Sequence, residues 1–404
     1  MKEFKVLILG SDANAYYMAR CTYEAYHKKA HLIAKDRLAF TKFSNILTIE
    51  YHEDLWDETK FIEYVNTYAK ENANYKILMI STNETYSVYI ARNKEKFLEN
   101  IIFPNQSESV LVTLTNKEKF YKTYKHSTLD FPETYYFDTT KSTVIPTMNY
   151  PMILKPANVV EYNHLEFAGK HKIFKLNSEE ELKRTIELIK KAGYKDRLIL
   201  QEFIPGDDSH LFDSVVYVDK KGKVKVISFA QIGIQERSKS MVGNAASLIN
   251  GFNTFGIDTT PMKEKIITFM ETLGMNGFYE FDMKYDEKTK TFKVLEINAR
   301  QGRCSYYISP LGANLVETLV KDLIEKEELP KKDLKGEILL SFVPKKIIKK
   351  YVSNDKFKQK ALKMWRKRVS PMECKEDKNF LRFLMMKKRL WHYQKEYKDS
   401  YWKE

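Results

Sequence analysis

Long apolar runs are missing from this 404-residue chain. Its apolar stretches, such as residues 6–9, 77–80 and 338–343, have the length of strands and fall far short of the roughly 20 residues that cross a bilayer as a helix. The opening MKEFKVLILGSD enters such a run directly. No basic segment, longer apolar stretch and small-residue cleavage site precede it, so no secretory signal is expected. Cysteine is scarce. Cys21, Cys304 and Cys374 have neither close pairing nor metal-ligand spacing, which removes a disulfide framework and points to a reducing cytoplasm. Glycine is sparse too, and Gly10 stands alone after the first apolar run. Without G-x-G-x-x-G there is no dinucleotide fingerprint. Internal repeats and low-complexity segments are absent. An acidic excess is also absent, because the net charge is +14 and a basic protein favours anionic partners. Much of that charge lies after Lys331, in KKDLKGE, VPKKIIKKY and WRKRV. Charge alone does not choose between nucleotides, nucleic acid and anionic membranes.

What is present reads as a soluble multidomain α/β protein. A 43% apolar content and 13% aromatics supply a core for two or three domains. Strand-like stretches at 5–9, 31–33, 46–49 and 76–81 alternate with helical patterns at 13–27, 60–70 and 87–98. That alternation predicts a parallel sheet covered by helices. A domain boundary is expected within 104–115. A lysine-rich helix over 116–125 follows, with Thr115 as its N-cap. From Met152 the pattern turns β-rich, interrupted by a helix over 178–192 that opens on Ser178 and Glu181, a capping-box pair. Two hairpins follow, one turning at Lys220-Lys221-Gly222 and one near residues 287–289.

The second hairpin carries the strongest chemical signal. Alternate residues of a strand share a face, so Glu296, Asn298 and Arg300 of LEINAR point one way. Glu280 and Asp282 of YEFDMK likewise share a face, and Phe281, Met283, Leu295 and Ile297 fill the other. Carboxylates and an amide on rigid strands suit magnesium, which takes a few protein oxygens plus substrate phosphates and waters. A solvated hairpin with ordinary charge pairing explains any one of these residues, but not their combination. Lys155, ending the strand of PMILKPAN, can project to a phosphate or simply snorkel from a strand end. Lys117 sits early in its helix, where a cation opposes the helix dipole unless an anion is bound, or it is a plain solvated lysine like Lys119, Lys122 and Lys125 nearby. In RLILQEFIPGDDSH an apolar strand runs into Gln201, Glu202, Phe203 and Ile204 and then a Pro-Gly turn. Its backbone can read an adenine edge, and Asp207 or Asp208 can accept hydrogen bonds from ribose hydroxyls, although alone the stretch reads as any strand ending in a turn.

In this order and spacing, Lys117, Lys155, the 201–204 hinge, Asp207, Asp208, Asp282 and Glu-x-Asn-x-Arg at 296–300 resemble the ATP-grasp superfamily over about residues 115–310. LGSDANAYYMAR, LKPANVVEY, FIPGDDS, GFYEFDMKYD and LEINARQGR are further similar to the D-aspartate ligases of peptidoglycan synthesis. The resemblance implies an N-terminal Rossmann-like parallel-sheet domain over 1–112 and two α+β subdomains, 113–204 and 205–330, that sandwich ATP. A basic extension covers 331–404. It implies a carboxylate–amine ligase that uses ATP and magnesium, or manganese, to form an acyl phosphate and then an amide. The expected donor is D-aspartate through its β-carboxylate. The expected acceptor is the lysine ε-amine of an anionic peptide or nucleotide-peptide precursor. By the same resemblance Lys117 and Lys155 hold phosphates, Gln201 to Ile204 hold adenine, and Asp207 or Asp208 holds ribose. Asp282, Glu296 and Asn298, with Glu280 as a further ligand, hold the metal, and Arg300 and Arg303 meet substrate carboxylate and acyl-phosphate charge.

His210 reads as structural, Gly169 and 170–172 as either a phosphate loop or a plain turn, and Asp12 and Asn14 as donor-site candidates at the end of a parallel strand. Segment 231–250 and everything after Glu327 match nothing in the pattern. Residues 380–391, FLRFLMMKKRLW, suit either a helix lying on an anionic membrane or one packed on the protein body, and packing is the expectation. A homodimer is compatible with the sequence. The competing classes are a ligase for another carboxylate and a basic nucleic-acid- or membrane-binding protein. Nucleic acid is disfavoured, because no module with interleaved basic and aromatic residues is present.

Overall fold

The first apolar run forms β1 (Phe4–Leu9), buried at every position but Lys5. A strand covered on both faces belongs inside a parallel sheet. It lies there between β2 (Ala30–Ala34) and β4 (Lys76–Ser81), with β3 (Leu47–Tyr51) and β5 (Ile101–Ile102) at the edges, and all neighbours run parallel. Helices α1 (Ala13–Tyr26), α2 (Glu58–Glu71) and α3 (Glu84–Arg92) connect the strands, each opened by an Asp or Asn side chain that accepts a first-turn N–H. The expected helix over 87–98 starts earlier, on Asn83, and stops at Arg92. Asn93 follows, and residues 94–96 form a single tighter turn.

This computed structural model describes the chain apart from residues 1–2, 142–143, 158–160, 163, 172, 238–240, 242 and 400–404. Two bodies emerge. The larger comprises Met1–Leu111, Asp207–Asp282 and Ile297–Glu404, and the smaller Val112–Gly206 and Met283–Glu296.

Helix α4 (Glu108–Thr115) runs into α5 (Lys117–Tyr124). Asn116, not Thr115, caps α5, accepting from Lys119 N at 2.9 Å. Thr115 is unavailable because it closes α4 with its hydroxyl on the Val112 carbonyl. In the smaller body, β6 (Thr134–Asp138), β7 (Met152–Pro156), β8 (Phe174–Leu176) and β9 (Arg197–Glu202) form an antiparallel sheet in the order β6-β9-β7-β8. Helix α6 (Glu179–Lys191) covers it with Leu182, Ile186 and Ile189. Ser178 caps that helix, as its spacing predicts, but the Glu181 carboxylate accepts from Asn177 N at 2.7 Å, one residue before the expected position.

A third sheet is built from β10 (Leu211–Val218), β11 (Val224–Ser228), β12 (Ala230–Gln235), β13 (Ala245–Asn250), β14 (Gly277–Asp286), β15 (Thr291–Asn298), β16 (Lys332–Leu334) and β17 (Ile338–Ser341). The turn between β10 and β11 passes through Gly222, whose φ of 74° lies in the left-handed region. Helix α7 (Thr260–Thr272) follows β13 in the chain, and α8 (Leu315–Leu319) comes after β15. The basic C-terminal region is part of the larger body. It forms α9 (Lys345–Tyr351), α10 (Asp355–Met364) and α11 (Phe380–Lys398). Helix α10 presses so close to β12 that a Cβ on Gly233 would stand 1.9 Å from the Phe357 ring. Asp377 anchors the run before α11. It is buried, accepts from Tyr16 and Ser44 hydroxyls at 2.8 Å each and from Asn45 N at 2.6 Å, and pairs with Arg382 at 2.9 Å.

Candidate active site

The larger body gathers acids at the strand where sequence placed them. Asn298 ends β15, and its side-chain amide donates to Glu280 Oε2 at 3.1 Å and Asp282 Oδ2 at 3.2 Å. Phe281, Met283 and Ile297 fill the opposite face, while Leu295 is only half-buried. Asp213 of β10 joins this cluster, hydrogen-bonded to Glu280 and accepting from Tyr307 Oη at 2.7 Å. Burial, and then the neighbouring Asp282 charge, push its carboxyl up to about 7 against the hydrogen bonds from its partners. Gly302 makes the arrangement possible, because a Cβ there would lie 1.7 Å from the Glu280 carboxyl group. Among the described residues no three carboxylates, imidazoles or thiols close around one point as a metal cage. Magnesium needs no such cage, since it is held by one or two carboxylates with phosphate and water. Two carboxylates beside an amide whose oxygen can be presented by a simple flip suit it.

The loop after β15 rests on the parallel sheet. Asn14 donates to the Gln301 carbonyl at 3.0 Å, and Gln301 donates to the Ser81 carbonyl at 2.8 Å at the end of β4. Asp12 instead spends its side chain capping α1 on Ala15 N. Arg300 pairs with Glu84 at 2.7 Å, yet its buried Nε has no hydrogen-bond partner. A buried donor without an acceptor is costly, and an anion would satisfy it. Beside it, a small cavity is lined by Ser81, Ser87, Gln106, Ala299 and Gln301.

The smaller body gathers cations. Lys117 pairs with Glu296 at 2.7 Å, and Lys155 donates to Gln201 Oε1 at 2.9 Å. Burial, then the Lys117 charge, hold the Lys155 amine well below its ordinary value, with Glu296 opposing. Ammonium groups placed in this way can meet phosphate oxygens. The Tyr121 ring lies under Lys155, and its hydroxyl donates to the Leu295 carbonyl at 2.7 Å. At the hinge, Gln201 is fixed by Thr134, Glu202 bonds to Glu133, and Phe203 lies beneath Lys175 and Lys284.

No protein-family model matches the chain. It is 31% identical over 403 residues to the D-aspartate ligase of Enterococcus faecium (strain Aus0004), covering 96% of this chain and 94% of that protein. The chain belongs to the D-aspartate ligase family. Solved structures agree on the fold. The ADP complex of N5-carboxyaminoimidazole ribonucleotide synthetase superposes with a TM-score of 0.63 at 13% identity, over 98% of this chain and 99% of that one. The L-amino acid ligase of Bacillus licheniformis gives 0.59 at 15% identity, over 81% and 77%. The fold is that of the ATP-grasp enzymes, and the protein is an ATP-dependent ligase that forms C–N bonds between a carboxylate and an amine.

Against that family, several named residues have settled partners. Asp208 accepts from Gln235 N at 2.9 Å and Nε2 at 2.7 Å and pairs with Arg237 at 3.1 Å. Asp207 holds Ser209 and His210, and the His210 ring packs edge-on against Phe255, a structural place. Arg303 is buried, paired with Glu236 at 2.6 Å and with Tyr393 Oη at 3.1 Å. Gly169 and Lys170 form an ordinary turn, with the Lys170 amine on the Leu165 carbonyl; Lys172 lies outside the described residues, as do 238–240 and 242 of the unmatched 231–250 segment. Sequence reasoning missed Asp213, Glu236 and Tyr393. A lone acid inside the apolar strand LFDSVVYV was the available signal for the first. No local pattern marks the other two.

Proposed function

We propose that the ligase joins D-aspartate, through its β-carboxylate, to the lysine ε-amine of a peptidoglycan stem-peptide precursor in the cytoplasm. The observation that carries this reading is the end-to-end relation to a D-aspartate ligase, 96% of one chain on 94% of the other. A β-carboxylate oxygen attacks the γ-phosphorus of ATP, giving β-aspartyl phosphate and ADP. The amine then attacks the acyl carbon and expels phosphate.

In this proposal Lys117 and Lys155 bind the ATP phosphates, the 201–204 backbone binds adenine, and Asp207 or Asp208 binds ribose, each beside the hydrogen bonds it already accepts. Arg300 binds the donor carboxylate through its unpartnered Nε. Arg303 contributes charge toward the acyl phosphate from within its pair with Glu236. Asp282, Glu296 and Asn298, with Glu280 as a further ligand, would hold magnesium. Bound there, the ion would neutralise charge on the transferring phosphoryl group. The protein's own contribution is placement and electrostatics.

The test measures phosphate released from ATP and magnesium with D-aspartate, L-aspartate or no donor, each with and without a lysine-containing precursor. Release that requires D-aspartate, with one aspartyl unit added to the precursor and loss of both in folded Glu296→Ala and Arg300→Ala, is expected. ATP binding without release on any of these donors would sink D-aspartate as the substrate.

A further inference from the structure

Helix α11 has two faces. Arg382, Tyr393 and Tyr397 are buried on one, with Met386 and Leu390 packed against the core. Packing on the body, expected from sequence, therefore holds for this face. The other face is apolar and open. Phe380 is 72% exposed, Leu381 53%, Phe383 54%, Leu384 48% and Trp391 62%. Half of the large apolar side chains exposed among the described residues thus fall within one twelve-residue stretch. Positions 380, 384, 387 and 391 follow helical spacing along one stripe, and the exposed Lys387, Lys388, Lys395 and Lys398 lie on and beside it. Scattered apolar residues need no partner, but a contiguous patch ringed by charge marks an interaction surface.

Charge identifies the partner. Residues 331–404 hold 23 Lys and Arg against nine Asp and Glu, so this region carries the chain's entire net charge of +14 and the other 330 residues balance to zero. Helix α9, with Lys345, Lys346, Lys349 and Lys350 exposed, packs beside α11 through the Tyr351 and Tyr397 rings, 5.5 Å apart. A second copy of this face would bring lysine against lysine. An anionic lipid surface offers phosphates to the lysines and an acyl boundary to Phe, Leu and Trp. No helix of the described residues is long and apolar enough to cross a membrane, so contact would be from one side.

We propose that α11 docks this enzyme onto an anionic phospholipid bilayer, with Phe380, Leu384 and Trp391 at the headgroup–acyl boundary and Lys387 and Lys388 on lipid phosphates. The test is flotation of the full-length protein with phosphatidylcholine vesicles, with and without phosphatidylglycerol. Binding to the anionic vesicles alone, released by salt, is expected. Phe380→Ser/Leu384→Ser/Trp391→Ser should abolish it, and Lys387→Gln/Lys388→Gln should weaken it roughly thirty-fold. All five side chains are exposed, so ligase activity on soluble substrates should persist and report folding. No flotation on anionic vesicles, or equal flotation of the apolar variant, would overturn the proposal. So would a dimer in sedimentation equilibrium that the apolar variant dissolves, since the face would then belong to a second copy.

Discussion

Replacing Glu236 by alanine strips the counter-charge from Arg303 inside the larger body. Glu236 and Tyr393 are each 2% exposed and Arg303 9%. The Tyr393 hydroxyl donates to Glu236 at 2.9 Å and accepts from Arg303 and Arg389 at 3.1 Å each. Breaking a buried pair by removing one partner costs about 3–5 kcal/mol, because the remaining charge stays buried. That is a large share of the roughly 5–15 kcal/mol that keeps a protein folded. Replacing both charges, as in Glu236→Leu/Arg303→Met, should recover most of the loss, since a buried pair is worth little against packed apolar side chains. Urea unfolding of the two variants followed by circular dichroism gives the comparison. A Glu236→Ala loss below about 1 kcal/mol, the size of an exposed pair, would refute the claim that this network is buried and coupled. Tyr393→Phe, which keeps the ring and removes the hydroxyl, should lower kcat while leaving the KM for ATP unchanged.

Other consequences are direct. Gly302→Ala places a methyl group where the Glu280 carboxyl stands, so activity should fall about a hundred-fold or more, while Asp282→Asn should raise the magnesium needed for half-maximal rate roughly ten-fold or more. Because burial and Lys117 depress the Lys155 amine, raising the pH should neutralise it and weaken ATP binding well before 10.5; Lys155→Arg should flatten that profile. Cys21 and Cys304 are buried and Cys374 is half-buried, so a thiol reagent should titrate one group in the native protein and three in urea. The Cys374 thiol is pushed up to about 11 by burial and by Glu376, so its alkylation should quicken with pH up to that value as thiolate forms.

The parallel sheet was legible because its central strands β1 and β4 are nearly pure apolar runs separated by helical patterns, and β4 has the boundaries its sequence predicts. The clustering of Glu280, Asp282 and Asn298 was legible because strand alternation fixes which side chains share a face. Cap and helix limits slipped where one residue had two possible employers, as Thr115 did. Asp213 escaped because its partners are remote, with Tyr307 lying 94 residues away. The C-terminal region escaped for the same reason, since Tyr16 and Asp377 meet across 361 residues. Neither Glu236 nor Tyr393 carries a local signature, and only the fold brings them to Arg303.

The proposed reaction requires a β-carboxylate to become an acyl phosphate before the amine attacks. D-Aspartate labelled with 18O in the β-carboxylate tests this in one reaction with ATP, magnesium and the lysine-containing precursor. Mass spectrometry should find one 18O in each released phosphate, and none when only the α-carboxylate is labelled. Unlabelled phosphate from the β-labelled donor, in a reaction that still forms the amide, would contradict it.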